Sequence, residues 1–182
     1  MKKILMIFIS ALMIMNLQAQ EVKTKQERRA EKKAKDIARR DSLRVVQEMW
    51  VQNKTYVLEA QQVYNKMGEM FQLSPATNFV YVDGDEAIVQ LSFNGLPGWN
   101  GVGGITIKGK ISKYSYESDN KNKPIFIRMT IQGNSGFHDI SMWISNSGSG
   151  EASIVDIRGN RIKFTGETVA LNRSAIYIGT ER

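Results

Sequence analysis

From Thr55 to about Ala170 the chain alternates apolar and polar residues with a period of two. Ala87, Val89, Leu91 and Phe93 interleave with Ile88, Gln90, Ser92 and Asn94. Ile105, Ile107 and Ile111 interleave with Thr106, Lys108, Lys110 and Ser112. Ile125, Ile127, Met129 and Ile131 interleave with Phe126, Arg128, Thr130 and Gln132, and Ile140, Met142 and Ile144 with Ser141, Trp143 and Ser145. Successive side chains of a strand point to opposite faces, so this pattern marks strands with one buried face. Turn signals at Asp83-Gly84, 120–123, 133–136, 146–150 and Gly159-Asn160 separate them. The strands are expected at 55–65, 69–74, 78–83, 86–94, 103–117, 123–133, 137–146, 150–158 and 161–170, with a last short one at 175–178.

Parallel strands need crossover helices, and no helical pattern interrupts this stretch. The fold class is therefore mostly β: an antiparallel meander of about nine strands. Sequential hairpins, two long strands and an interior glycine, Gly109, favour closure into a barrel, with a two-sheet sandwich as the alternative. Either arrangement removes the exposed strand edges.

One α-helix is expected ahead of the strands, from Glu21 to about Trp50. The stretch lacks Gly and Pro and is rich in good helix formers. Its first half is almost wholly charged, with opposite charges at helical spacing in Glu31 with Lys35 and Asp36 with Arg40. Leu43, Val46 and Trp50 then lie at i, i+3 and i+7, and Val45 and Met49 widen that stripe. Phe126 and Trp143 fall on the polar faces of their strands, so the stripe is expected to pack on the sheet over Phe126 and Trp143. Residues 20–50 hold ten Lys/Arg and six Asp/Glu, whereas 51–182 hold thirteen and twelve. The basic character is thus a property of the arm, not of the β domain; the arm reads as a solvated helix or spacer, or as a contact for an anionic surface, a membrane leaflet or a polyanionic glycan.

The first nineteen residues form a separate expectation. Lys2 and Lys3 precede an apolar run from Ile4 to Leu17, followed by Gln18-Ala19-Gln20. A basic start, a short apolar run and a small residue describe a secretory signal peptide, with cleavage between Ala19 and Gln20. A helix of about 14 residues rises only about 21 Å, short of a roughly 30 Å bilayer core. The organisation read from the sequence is therefore 1–19 signal peptide, 20–50 basic helical arm and 51–182 β domain. The compartment is the periplasm or the cell exterior, where nucleic acid and ATP are not the expected ligands. With no cysteine in the chain, disulfides, thiolate metal sites and a lipid-bearing cysteine are excluded.

Catalytic motifs are sparse. Gly104 to Lys110 fits the first seven positions of a phosphate-binding loop, but Ile111 stands where Ser or Thr must meet magnesium, and the stretch alternates as a strand. Asp83-Gly84-Asp85-Glu86 reads as a hairpin turn rather than a calcium loop, because its glycine is second rather than sixth. His138 is the only histidine, and Asp139 beside it points to the other face of a strand. No metal site and no cofactor are expected, and no catalytic residue is assigned. Asp41-Ser42-Leu43 fits a short pattern for O-glycosylation of exported proteins, and equally a helix cap. The densest glycine stretch, Gly95–Gly104, is the candidate ligand loop, through Trp99, Asn100, Gly101, Gly103 and Gly104. An aromatic on such a loop stacks on a sugar ring or enters a partner.

Several segments together carry a resemblance. They are Tyr56-Val57-Leu58-Glu59-Ala60, Thr77–Asp85, Val89–Gly95 and the block Pro97-Gly98-Trp99-Asn100-Gly101-Val102-Gly103-Gly104-Ile105-Thr106. With the leader and charged helix before them, they resemble the bacterial exported family known as domain of unknown function 4251. The resemblance implies export and a mostly β domain, and brings no activity, ligand or site. The expectation is a non-enzymatic envelope protein whose β domain binds a small apolar molecule, a glycan or a protein. A hydrolase acting on envelope glycans through Asp/Glu and an assembly protein using the basic arm are the alternatives.

Overall fold

The computed structural model describes residues 24–64, 67–92, 104–119, 121–155 and 161–178. Helix α1 spans Lys25–Asn53 and nine strands follow: β1 Thr55–Tyr64, β2 Met70–Gln72, β3 Phe79–Asp83, β4 Glu86–Ser92, β5 Gly104–Glu117, β6 Ile125–Gly133, β7 Gly136–Ile144, β8 Ser149–Val155 and β9 Arg161–Ala170. Every neighbouring pair from β3 to β9 is antiparallel. β1 pairs with β3 on one side and β9 on the other, which closes an eight-stranded barrel. β2 is an extra strand beside the end of β1. The barrel, not the sandwich, is the fold. Residues 175–178 are not a strand; Tyr177 there makes isolated bonds, its N–H to the Ala76 carbonyl at 2.7 Å and its carbonyl to Gln90.

Closure demands local departures from regular pleating. The register of β1 shifts between Ala60 and Gln62, and that of β5 between Ile111 and Lys113. Bulges of this kind sharpen twist and let a sheet curl. At each, a glycine admits the neighbouring backbone: a Cβ on Gly166 would stand 1.8 Å from the Glu59 carbonyl oxygen, and one on Gly109 2.1 Å from that of Gln132. The Asp83–Glu86 hairpin needs a positive φ, supplied by Gly84 at +58°.

The inward faces fill the barrel. Tyr56, Leu58, Val80, Val89, Ile127, Ile131, Met142, Ile154 and Phe164 are among the residues at or near zero exposure in one continuous cluster. Eight strands leave an interior just wide enough for side chains, and burial of each large one contributes about 1.5–3 kcal/mol. β1, β3 and β4 are covered on their outer side too: Val57, Phe79 and Ile88 pack under Leu171 and Ile176 of the C-terminal segment.

The chain divides into compact units at residues 1–39 and 40–182, so the second half of α1 folds with the barrel. That half presents an unexpected face. Arg44, Gln47 and Val51 are buried, whereas Val46 is 36% exposed and Val45 and Met49 more so. The expected Leu43/Val46/Trp50 stripe is corrected accordingly: Leu43 and Trp50 are half-buried, and Val46 faces outward. The reason is what the helix meets. It lies against the barrel rim, where turns present backbone carbonyls, so donors are buried there. Arg44 donates from Nη1 to the Lys123 carbonyl (2.8 Å) and Asn146 Oδ1 (3.0 Å), from Nη2 to Ser118 Oγ (2.9 Å) and from Nε to Glu48 Oε1 (2.7 Å). Gln47 donates to the Ser145 carbonyl. Ser118 and Arg44 hold the Glu48 carboxyl below its usual range. This contribution to stability is present above the ordinary carboxylate pKa and is lost as pH falls through the depressed one.

A tyrosine relay finishes the helix. Tyr114 donates to the Val51 carbonyl (2.9 Å), one of the last carbonyls of the helix, which also accepts from the Lys54 N–H (3.3 Å), and Tyr56 therefore donates to Tyr114 (3.3 Å). Burial pushes the Tyr56 hydroxyl well above its ordinary pKa and that of Tyr114 up to about 12. Both are neutral when folded, so their contribution is intact below pH about 10 and is lost as pH rises towards the raised values. We expect denaturant stability to fall between about pH 10 and 12 by up to about 1.4 kcal/mol per pH unit per tyrosine. Guanidinium titrations at several alkaline pH values check this. A slope unchanged in Tyr114→Phe would contradict the assignment to Tyr114.

Candidate functional site

The side of the barrel left open by the C-terminal segment carries the candidate site. Strand register sets one outward row of directly opposed residues: Phe126 on β6, Trp143 on β7, Glu151 on β8, Thr165 on β9 and Gln62 on β1. Outward positions opposed across strands bring side chains within contact distance. The Phe126 and Trp143 rings lie 4.7 Å apart at 32°, and Arg128 sits 4.5 Å over the far ring, Phe126. These partners orient Trp143, which remains 36% exposed. Beside it runs a shallow groove of about 370 Å³ lined by Gln61, Gln62, Trp143, Ser145, Glu151 and Thr165, among others.

The polar groups of the groove are held in place by one another. Thr165 Oγ1 and the Tyr64 hydroxyl both donate to Gln62 Oε1, at 3.3 and 3.1 Å. The amide nitrogen is then the group Gln62 offers outward. Lys163 holds Glu151 at 2.9 Å. An aromatic plate next to fixed donors and acceptors suits a ligand with one apolar face and a hydroxylated edge.

Trp99, Asn100, Gly101 and Gly103 lie outside the described residues, and Gly104 opens β5 opposite Ser92. β5 runs unbroken to Glu117, so the phosphate-loop pattern is a strand. Phe126 and Trp143 stack on each other. Asp85 belongs to its hairpin, paired with Lys54 at 2.7 Å.

Two pairings could not be read from spacing. Ser135 Oγ lies 2.8 Å from Nε2 of His138, a contact made across a tight turn with the histidine 4% exposed. Asp139 faces away and accepts from Thr130 at 2.7 Å. Glu59 and Glu167 stand directly opposite on β1 and β9, and Glu59 accepts from Ser174 at 2.6 Å. Among the described residues, no group of three or more His, Asp or Glu is placed to hold a metal ion.

Fold and site define a class: a helix-capped antiparallel barrel with a filled interior and an open outer wall. The chain belongs to the family described as Domain of unknown function (DUF4251), whose profile matches residues 40–168. The match begins inside α1, where the compact barrel unit begins. A similar solved structure is the crystal structure, at 1.95 Å resolution, of a DUF4251 family protein from Bacteroides eggerthii DSM 20697. It is 28% identical, with 75% of this chain and 91% of that chain covered and a TM-score of 0.63. No curated protein matches the chain.

Proposed function

We propose that this chain is an exported, non-enzymatic binding module of the bacterial envelope, and that its ligand is a glycan held on the outer wall of the barrel. The observation that carries the reading is the row Trp143–Glu151–Thr165–Gln62, with a braced, part-exposed indole at one end and oriented polar groups beyond it. A sugar ring stacks its C–H face on an indole while its hydroxyls exchange hydrogen bonds with amide, hydroxyl and carboxylate groups. The export half of the reading rests on Lys2, Lys3 and the Ile4–Leu17 run, and mass spectrometry of the exported protein should find Gln20 at its start.

The binding half is tested on the intact chain with neutral hexasaccharides of glucose, xylose and N-acetylglucosamine, read by calorimetry. At least one should bind, and Trp143→Ala should weaken it roughly tenfold, the order of a lost aromatic contact plus its buried area. The melting temperature should stay within a few degrees, because Trp143 lies outside the core. Equal binding by the variant, or no binding by any of the three, would overturn the glycan reading. Hydrolysis of a bound sugar would instead favour an enzyme, with Glu59 and Glu167 the pair to substitute.

A further inference from the structure

The first part of α1 carries a surface independent of the Trp143 groove. Residues 25–39 include seven cations, Lys25, Arg28, Arg29, Lys32, Lys33, Lys35 and Arg39, all exposed. At 100° per residue, all seven fall within an arc of about 160°, along about 21 Å of helix. Asp36 is the only acid inside that arc. The opposite side holds Ala30, Ala34, Ala38, Glu27 and Glu31, with Ile37 at its border. The helix is thus one-sided in charge rather than in hydropathy.

The two acids of the opposite side are already engaged. Thr24 and Glu27 form a reciprocal cap: the Thr24 N–H donates to Glu27 Oε2 at 2.7 Å, and the Glu27 N–H to Thr24 Oγ1 at 3.2 Å. Glu31 binds Lys35, at the edge of the basic arc, at 2.9 Å. Within the arc, seven cations stand against one acid, Asp36.

We propose that this face docks on an anionic lipid bilayer, lying flat on the headgroups. Breadth decides between a plane and a polymer. A linear polyanion touches the middle of the arc and leaves Lys33 on one flank and Lys35 and Arg28 on the other unused. A plane is reached by all of them, because long Lys and Arg stems bend towards it. The face has no Trp, Phe or Leu, so attraction is electrostatic and shallow, without the insertion that an interfacial amphipathic helix makes. Each cation near such a surface strengthens binding roughly fivefold.

The test is co-sedimentation of the full chain with vesicles of phosphatidylcholine alone and with about 30% phosphatidylglycerol, the difference being the readout. The apolar run Ile4–Leu17 contributes to both vesicle types, so the difference isolates charge. Wild type should favour the anionic vesicles, and the preference should vanish between about 50 and 500 mM salt. The quadruple variant Arg29→Gln, Lys32→Gln, Lys33→Gln, Arg39→Gln keeps helix propensity and should lose the preference by a factor of a hundred or more. The triple variant Ala30→Gln, Ala34→Gln, Ala38→Gln, on the other side, should keep it, with both helices verified by circular dichroism. Equal binding to both vesicle types, an unchanged quadruple variant, or binding to heparin but not to anionic vesicles at the same salt would each overturn the proposal.

Discussion

Arg44→Ala is expected to destabilise the barrel unit by about 3–5 kcal/mol, out of a total of about 5–15 kcal/mol for a domain of this size. Arg44 is 1% exposed, and its guanidinium bonds four groups on three separate segments. Alanine would strand the Lys123 carbonyl and Asn146 Oδ1, each with a desolvation cost of about 1–3 kcal/mol, and would leave a void, while Ser118 Oγ keeps its bond to Glu48. The Glu48 carboxylate contributes little to that loss. Its side chain is 36% exposed, and it rehydrates once its partner leaves. Arg44→Lys should recover only part of the stability, because an ammonium cannot reproduce the planar fork. Guanidinium unfolding checks both variants, and a double-mutant cycle with Glu48→Gln should give a coupling of no more than about 1 kcal/mol. An alanine variant within about 1 kcal/mol of wild type would show that the helix holds the rim without this residue.

Gly166→Ala should have an effect at least as large, about 4 kcal/mol or more, because it strikes the seam that closes the barrel. The methyl group would stand 1.8 Å from the Glu59 carbonyl oxygen and 2.9 Å from Ala60 Cα. Both are backbone atoms of β1, pinned at the bulge where β1 meets β9. No rotamer relieves the clash, so β1 must move, and the register of the seam with it. Gly84→Ala is the matched comparison. The space around Gly84 is open, and only its φ of +58° resists a side chain, for about 1 kcal/mol. Thermal melts of the two variants separate steric closure from backbone strain. Similar losses for both would mean that the seam is more plastic than its geometry implies.

Much of the architecture was legible in the chain. The alternation of Ile125, Ile127, Met129 and Ile131 and of Ile140, Met142 and Ile144 fixed the inward face of β6 and β7, and Asp83-Gly84 marked a hairpin whose glycine does take a positive φ. Gly109, an interior glycine in a strand, pointed to closure, and its Cβ position is indeed filled by the neighbouring backbone. The helix face was legible only in part: Trp50 packs on the core, and Val46 does not. Leu43, Val46 and Trp50 are apolar at helical spacing, and a sheet surface would have selected them. The barrel rim presents carbonyls, so Arg44 and Gln47 were buried while Val46 was left facing outward. Residue type alone does not distinguish a solvated arginine from one that ties two connections of the barrel to the helix.

The outer groove was invisible for a related reason. Trp143, Glu151, Thr165 and Gln62 come from four strands, and Gln62 and Thr165 are 103 positions apart in sequence. The sequence by itself determined the strands, their inward faces, the hairpin turns and the one-sided charge of the first part of the helix, because each depends on residues a few positions apart. The pairing of β1 with β9, the opposition of residues across strands and the partners of Arg44 were decided only in the tertiary structure. They depend on register and closure, which bring together groups that no local pattern connects.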